Sequence, residues 1–157
     1  IAIFNKEGKQ VGTKQRSDIS KHRDLLKTIN IIITNSKREI FMIKAKDSAW
    51  PDKWGGSCAT LLKDKESVEQ AAERVLEREL SLKEKSRFVS EKFQDFGGIR
   101  RIQTIFHLVT NAKLEPNAAD FQEHKWVSLQ EARQLIEIDA CMPTFEAAFR
   151  EIKATFK

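Results

Sequence analysis

The residues most able to do chemistry together lie between Trp54 and Leu82, in the stretch WGGSCATLLKDKESVEQAAERVLERELSL. Glu66, Arg74, Arg78 and Glu79 supply two carboxylates and two guanidiniums within four helical turns. The spacing predicts a loop with two glycines, a helix start at Glu66-Ser67 and a helix end near Leu80. Ser67 followed three residues later by Gln70 is a capping-box pattern, which gives the first unpaired helix N–H groups their partners. Val68, Ala71, Ala72, Val75, Leu76 and Leu80 then fall at the i, i+3, i+4, i+7 positions of one helix face. Glu79 points into the middle of that face. A carboxylate on an apolar stripe is costly to bury unless something pairs with it, so Glu79 marks a candidate site. Trp50 and Trp54 stand beside the glycines and could either stack on a flat ligand or close the core over the loop.

The spacing resembles the Nudix box, G-x5-E-x7-R-E-U-x-E-E-x-G-U, where U is a bulky aliphatic residue. Glu66, Arg74, Leu76, Glu79 and Leu82 match it. Thr60 and Ser81 stand in place of its two glycines. Val75 replaces the glutamate after the arginine, and Arg78 replaces the first of the adjacent glutamates. The resemblance implies glutamates that hold Mg²⁺ or Mn²⁺ against a pyrophosphate, and a Glu66–Arg74 ion pair that clamps the box loop onto its helix. Glutamates at i, i+3 and i+4 let one helix offer a cation several oxygen ligands, and the cation then neutralises phosphate charge and activates water. Positions 75, 78 and 79 have that spacing but present Val, Arg and Glu. A metal site would therefore draw on Glu79 and on an acid of a later loop, Glu115, Asp120 or Glu123. Two readings of Glu79 stand side by side: a ligand of metal or water, or a structural partner of Arg78 or another base near the helix end. The expected catalytic residues are Glu79, with Glu66 and Arg74 shaping the loop, and the expected substrate-binding residues are Trp54, Arg78 and Trp50.

Within that family the chain looks most like the hydrolases related to isopentenyl diphosphate isomerase. Their loop reads roughly W-D-x-S-x-A-G-H-V; Trp54, Ser57 and Ala59 agree, while Gly55, Thr60 and Leu61 differ. Arg16, Ser17 and Asp18 occupy the end of a "DxxG…vG…RsE" opening. Glu123, Trp126, Val127, Ser128, Leu129 and Glu131 form the "E…W-V-S-L-x-E" stretch. The isomerase cysteine falls at Ala59, one residue past Cys58, and its histidine at Leu61, so isomerase chemistry is not expected.

The elements that must position these residues can be taken in chain order. Ile1–Phe4 and Gln10–Thr13 predict a hairpin over residues 1–13 with Gly8 in the turn. Thr28–Thr34 is a β-branched run and a buried strand, with Glu39–Ala45 as its return after a turn at Asn35–Arg38. Arg87–Phe96 and Arg100–Val109 predict a hairpin around Gly97-Gly98. A polar loop, Asn111–Asp120, precedes a short strand at Glu123–Val127. Ser128 with Glu131 is a second capping box and opens a helix through about Ile138. Pro143-Thr144 begins a last helix with Phe145, Ala148, Phe149, Ile152 and Phe156 on one face. This order predicts an α/β chain, a mixed β-sheet between helices, and matches the α/β/α sandwich of the Nudix fold over residues 1–157 as one domain.

The 157 residues, 40% hydrophobic and 32% charged, describe a globular protein and not a disordered one. No apolar run approaches the roughly 20 residues of a membrane helix. The chain opens on Ile1 without a charged-then-apolar leader, so a cytoplasmic location is expected. Cys58 and Cys141 lack metal-ligand spacing and are expected to be idle thiols. His22, His107 and His124 are scattered. The net charge of +5 is concentrated at the start, where residues 1–46 carry 11 Lys/Arg against 4 Asp/Glu. Those lysines are not interleaved with aromatics, so nucleic acid is not indicated. The expectation is a hydrolase of the pyrophosphate linkage in a nucleoside diphosphate derivative, dependent on Mg²⁺ or Mn²⁺. The alternative is a metal-free binding module of the same fold for a phosphate-bearing ligand or a protein partner, with a homodimer left open.

Overall fold

The computed structural model describes residues 1–153. Its elements are β1 (Ala2–Phe4), β2 (Gln10–Thr13), β3 (Leu26–Thr34), β4 (Ile40–Ala45), β5 (Cys58–Leu61), α1 (Val68–Leu80), β6 (Arg87–Phe96), β7 (Ile99–Val109), β8 (Phe121–Val127), α2 (Leu129–Glu137) and α3 (Pro143–Ile152). Both capping boxes form: Ser67 Oγ accepts from the Gln70 N–H, and Ser128 Oγ from the Glu131 N–H. The hairpin β1–β2 turns at Gly8, whose φ of 82° is a conformation glycine adopts without cost. Of the apolar face expected on the last helix, Phe145, Ala148, Phe149 and Ile152 are buried; Phe156 lies outside the described residues.

The main sheet runs β6-β7-β3-β4-β8, with β5 also paired to β3. Strand β3 lies parallel to β7 and antiparallel to β4 and β5, so the sheet is mixed. Alternation along β3 assigns its two faces. Ile29, Ile31 and Ile33 pack with Ala72, Val75, Leu76 and Leu80 of α1, whereas Ile32 packs with Phe145, Ala148 and Phe149 of α3. Helices thus cover both faces, the α/β/α arrangement expected.

Strand β5 is the element that the loop reading missed. Strands β3 and β4 pair at Thr34↔Ile40 and then part, and β5 enters the opening against Thr28–Ile31. At the fork, Ser57 Oγ accepts the Ile33 N–H at 2.6 Å and donates to the Phe41 carbonyl at 2.8 Å. A hydroxyl with no exposed surface thereby satisfies the backbone groups that the splay would orphan. Gly56 is held close to β3 here: a Cβ would lie 2.4 Å from Ile32 Cδ1.

Candidate functional site

The box helix is fastened at both ends. At its start, Arg74 Nε donates to Glu66 Oε2 at 2.7 Å and Nη2 to Oε1 at 3.0 Å. The same guanidinium reaches Thr60 Oγ1 and the Leu61 carbonyl, both at 3.2 Å, tying α1 to β5. Burial pushes the Glu66 carboxyl up, but Arg74 and the Lys63 N–H outweigh it and hold it below its usual range. At the other end Ser81 takes a left-handed conformation, φ 52°, where the box has glycine.

Helix termini leave carbonyls unpaired, and here a distant loop supplies the donors. Asn117 N–H donates to the Glu79 carbonyl at 2.8 Å and Glu115 N–H to that of Leu80 at 3.3 Å. The docked loop brings Asp120 to Arg78, with Oδ1 3.4 Å from Nη2. Asp120 also raises the pKa of the neighbouring Glu79. Burial is the larger cause of that shift. Arg78 and the Ala59 N–H pull the other way, and Glu79 ends at about 7 against an ordinary 4.5. Asp120 Oδ2 is buried with no hydrogen-bond partner among the described residues.

These groups line a cleft of about 370 Å³. Glu79, Arg78 and Asp120 line it together with Trp50 and Lys46, and Thr28, Asn30, Arg101 and Thr144 line it from β3, β7 and the start of α3. Four cations (Arg16, Lys46, Arg78 and Arg101) face three acids (Asp47, Glu79 and Asp120), one of which titrates near neutrality. The balance favours an anionic ligand.

The residues expected to form a site divide three ways. Glu79, Arg78, Asp120 and Trp50 converge in the cleft, with the Trp50 ring edge-on to Phe96 at 5.8 Å. Glu66 and Arg74 act behind it, as the clamp between helix and loop. Trp54 and Glu123 lie elsewhere. Trp54 is buried in the second core, its ring 4.4 and 5.1 Å from the ammoniums of Lys125 and Lys44, because its backbone pairs with Ala140 and Met142 in the α2–α3 link. Glu123 is exposed on β8 and pairs with Lys44 at 3.2 Å. On β5 the alternation buries Cys58 in the core and turns Ala59 to the cleft, so no thiol faces it from this strand. Arg101, Asn30 and Thr144 were not anticipated. A signal for Arg101 exists in Ile99, Arg101, Gln103 and Ile105, which alternate onto one strand face and set a charge among buried neighbours.

The family model of the NUDIX domain matches residues 24–152. The chain belongs to the NUDIX domain family. Solved structures of similar fold include DR0079 from Deinococcus radiodurans, with a TM-score of 0.82, 18% identity, and coverage of 96% of this chain and 97% of that one. The NUDIX domain of Shewanella oneidensis NrtR complexed with ADP ribose has a TM-score of 0.70 at 10% identity, over 92% of this chain and 94% of that one. The third is a bifunctional NMN adenylyltransferase/ADP ribose pyrophosphatase from Francisella tularensis, complexed with AMP and a Mn ion. It has a TM-score of 0.62 at 20% identity, over 83% of this chain and 41% of that one. No curated protein matches the sequence.

NUDIX hydrolases generally use divalent metals, and the residues present can be tested against one. Among the described residues no three His, Cys, Asp or Glu side chains converge into a cage. Mg²⁺, however, is commonly held by one or two carboxylates with substrate phosphates and water completing the shell. Glu79 and Asp120 offer two, and Asp120 lines the cleft with its Oδ2 buried and not committed to any hydrogen bond among the described residues. The donor set fits a cation that the substrate helps to hold. No helix among the described residues is long and apolar enough to cross a membrane.

Proposed function

We propose that this chain hydrolyses the pyrophosphate linkage of a nucleoside diphosphate derivative. The observation that carries the reading is the meeting of Glu79 and Asp120, from separate segments, with Arg78 in one cation-rimmed cleft. Arg78 and Lys46 bind phosphate oxygens, and Trp50 offers a ring edge at the rim to a flat group. Glu79, with its pKa near 7, accepts a proton from the attacking water at the working pH, where a base is most effective. The water oxygen bonds to phosphorus as the bridging P–O bond breaks, and the proton taken by Glu79 is free to return to the leaving phosphate. Mg²⁺ or Mn²⁺, held by Asp120 and by phosphate oxygens of the substrate, would supply charge neutralisation at the phosphates and a more acidic water.

The Arg78–Asp120 contact favours a second reading, in which the cleft binds a phosphate-bearing ligand without cleaving it. Arg78 then stands in for the metal's charge. The experiment that separates the two is phosphate and nucleotide release from a panel of nucleoside diphosphate derivatives with Mg²⁺ and Mn²⁺, ADP ribose first. Turnover that disappears in Glu79→Gln supports hydrolysis. Saturable binding with no turnover across the panel overturns it in favour of the binding module.

A further inference from the structure

The cleft wall holds a charge that the proposed hydrolysis leaves unused. Arg101 on β7 is only 8% exposed and lines the cleft. Its Nη1 donates to the carbonyl of its own neighbour Arg100 at 2.8 Å, which curls the head back toward its strand. Among the described residues it makes no ion pair. Burial lowers its pKa with no carboxylate acting against it. Buried charges are normally paired, because desolvation is otherwise uncompensated.

A neutral donor, Asn30, stands between Arg101 and the acid end, opposite Ala59 on β5 and four residues along β3 from the partner of Arg101, Leu26. Asn30 Oδ1 accepts from Gln103 Nε2 at 3.1 Å and from Thr28 Oγ1 at 3.4 Å. Gln103 is itself fixed by its second bond, from Nε2 to the Thr144 carbonyl at 2.9 Å, and has no exposed surface. With its oxygen engaged, Asn30 has its Nδ2 protons left to offer a ligand. The cleft therefore presents a guanidinium and, nearer the acid end, an amide NH₂, both donors.

The position of Arg101 separates it from the acid end. Strand β3 lies between β7, which carries Arg101, and β5, which carries the Ala59 N–H that holds Glu79. Arg101 lies opposite Leu26 and Ala59 opposite Asn30, so two inter-strand spacings of about 10 Å are joined by an offset of four residues, about 13 Å, along the strand. That is too far for one phosphate group to engage both ends while Arg101 stays against its own strand.

We infer that Arg101 forms a second anion seat, with the Asn30 amide as a donor between it and the pyrophosphate, which selects nucleoside diphosphate derivatives bearing a further phosphate or carboxylate remote from the pyrophosphate. The inference rests on the proposed seating of the pyrophosphate by Glu79, Asp120 and Arg78. Planar guanidinium forks match both oxyanions, so the chemistry shared by the two is what the seat reads.

Matched probes test it by calorimetry: ADP-ribose 2′-phosphate against ADP ribose, and UDP-glucuronate against UDP-glucose. At least one charged probe is expected to bind tenfold or more tightly than its parent, and which pair shows this distinguishes phosphate from carboxylate. Arg101→Gln is expected to erase that preference while leaving the parent's affinity within twofold. Should Arg101→Gln not fold, Arg101→Lys serves, because an ammonium on a shorter reach loses the fork and the preference should fall at least threefold. Equal binding of both members of both pairs, a preference unchanged in these variants, or no binding of any probe overturns the seat. Preferred binding without turnover leaves the seat standing and removes the hydrolase reading alone.

Discussion

Glu79→Gln separates the electrostatics of the cleft from its shape. Below pH 4.5 the Glu79 carboxyl is protonated in folded and unfolded chains alike, and it costs nothing. As pH rises through 4.5 the unfolded chain releases this proton, while the folded chain keeps it until about 7. Stability must therefore fall across that window, because the folded state binds the extra proton. The interval from 4.5 to about 7, at roughly 1.4 kcal/mol per pH unit, amounts to about 3 kcal/mol above pH 7. Glutamine keeps the shape and can still accept the Ala59 N–H, but carries no charge. The variant should match the parent at pH 4 and exceed it by about 3 kcal/mol at pH 8. For a chain of this size that is a rise in melting temperature of roughly 6–12 °C. Thermal melts by circular dichroism at half-unit steps from pH 4 to 8.5 measure it. A difference between the two proteins that stays flat with pH refutes the burial and Asp120 repulsion assigned to Glu79. A gain in stability together with lost turnover would mark a site that trades one for the other.

Glu66, on the same motif, should show the opposite slope. Its carboxyl is held below 4.5, so its stabilisation is complete above that pH and is lost as pH falls through the folded-state pKa. The cost of Glu66→Gln should shrink on acidification, as read from denaturant midpoints at pH 7 and pH 3.5. Ser57→Ala removes the one hydroxyl serving both the Ile33 N–H and the Phe41 carbonyl, and should cost roughly 2–4 kcal/mol in urea unfolding. Ser81→Gly relieves a left-handed backbone that L-residues enter at a cost of about 1 kcal/mol, and should raise the urea midpoint accordingly.

What the sequence made legible was what local rules decide. Ser67 with Gln70, Ser128 with Glu131, and the Gly97-Gly98 turn each announce their element within a few residues, and each stands where expected. Strand β5 was illegible because Cys58–Leu61 is four residues without a pattern; it is a strand only because β3 offers it an unpaired edge. The site divided the same way. Glu79 was visible as a carboxylate on an apolar face. Among Glu115, Asp120 and Glu123, by contrast, only the docking of the 111–120 loop on the end of α1 singles out Asp120 for the cleft. Trp50 and Trp54 were equivalent on paper, and the backbone pairing of Trp54 with the α2–α3 link is what parts them. Arg101 needed the strand's neighbours to show that its charge is buried inside a cleft wall.

The pairing of β3 also bears on how the chain reaches this structure. Its longest partner is β7, in register from Leu26↔Arg101 to Thr34↔Val109. A parallel pair cannot close through a tight turn, so the two must find each other across everything made between them. Loop closure of that length precedes the contacts that reward it, which places folding among the slower α/β chains. During synthesis β3 emerges early with five buried isoleucine and leucine side chains and no β7 to flank it. The cleft residues Asn30 and Arg101 thus come onto one sheet only when its centre closes, and the second half of the chain completes a surface that the first half has begun.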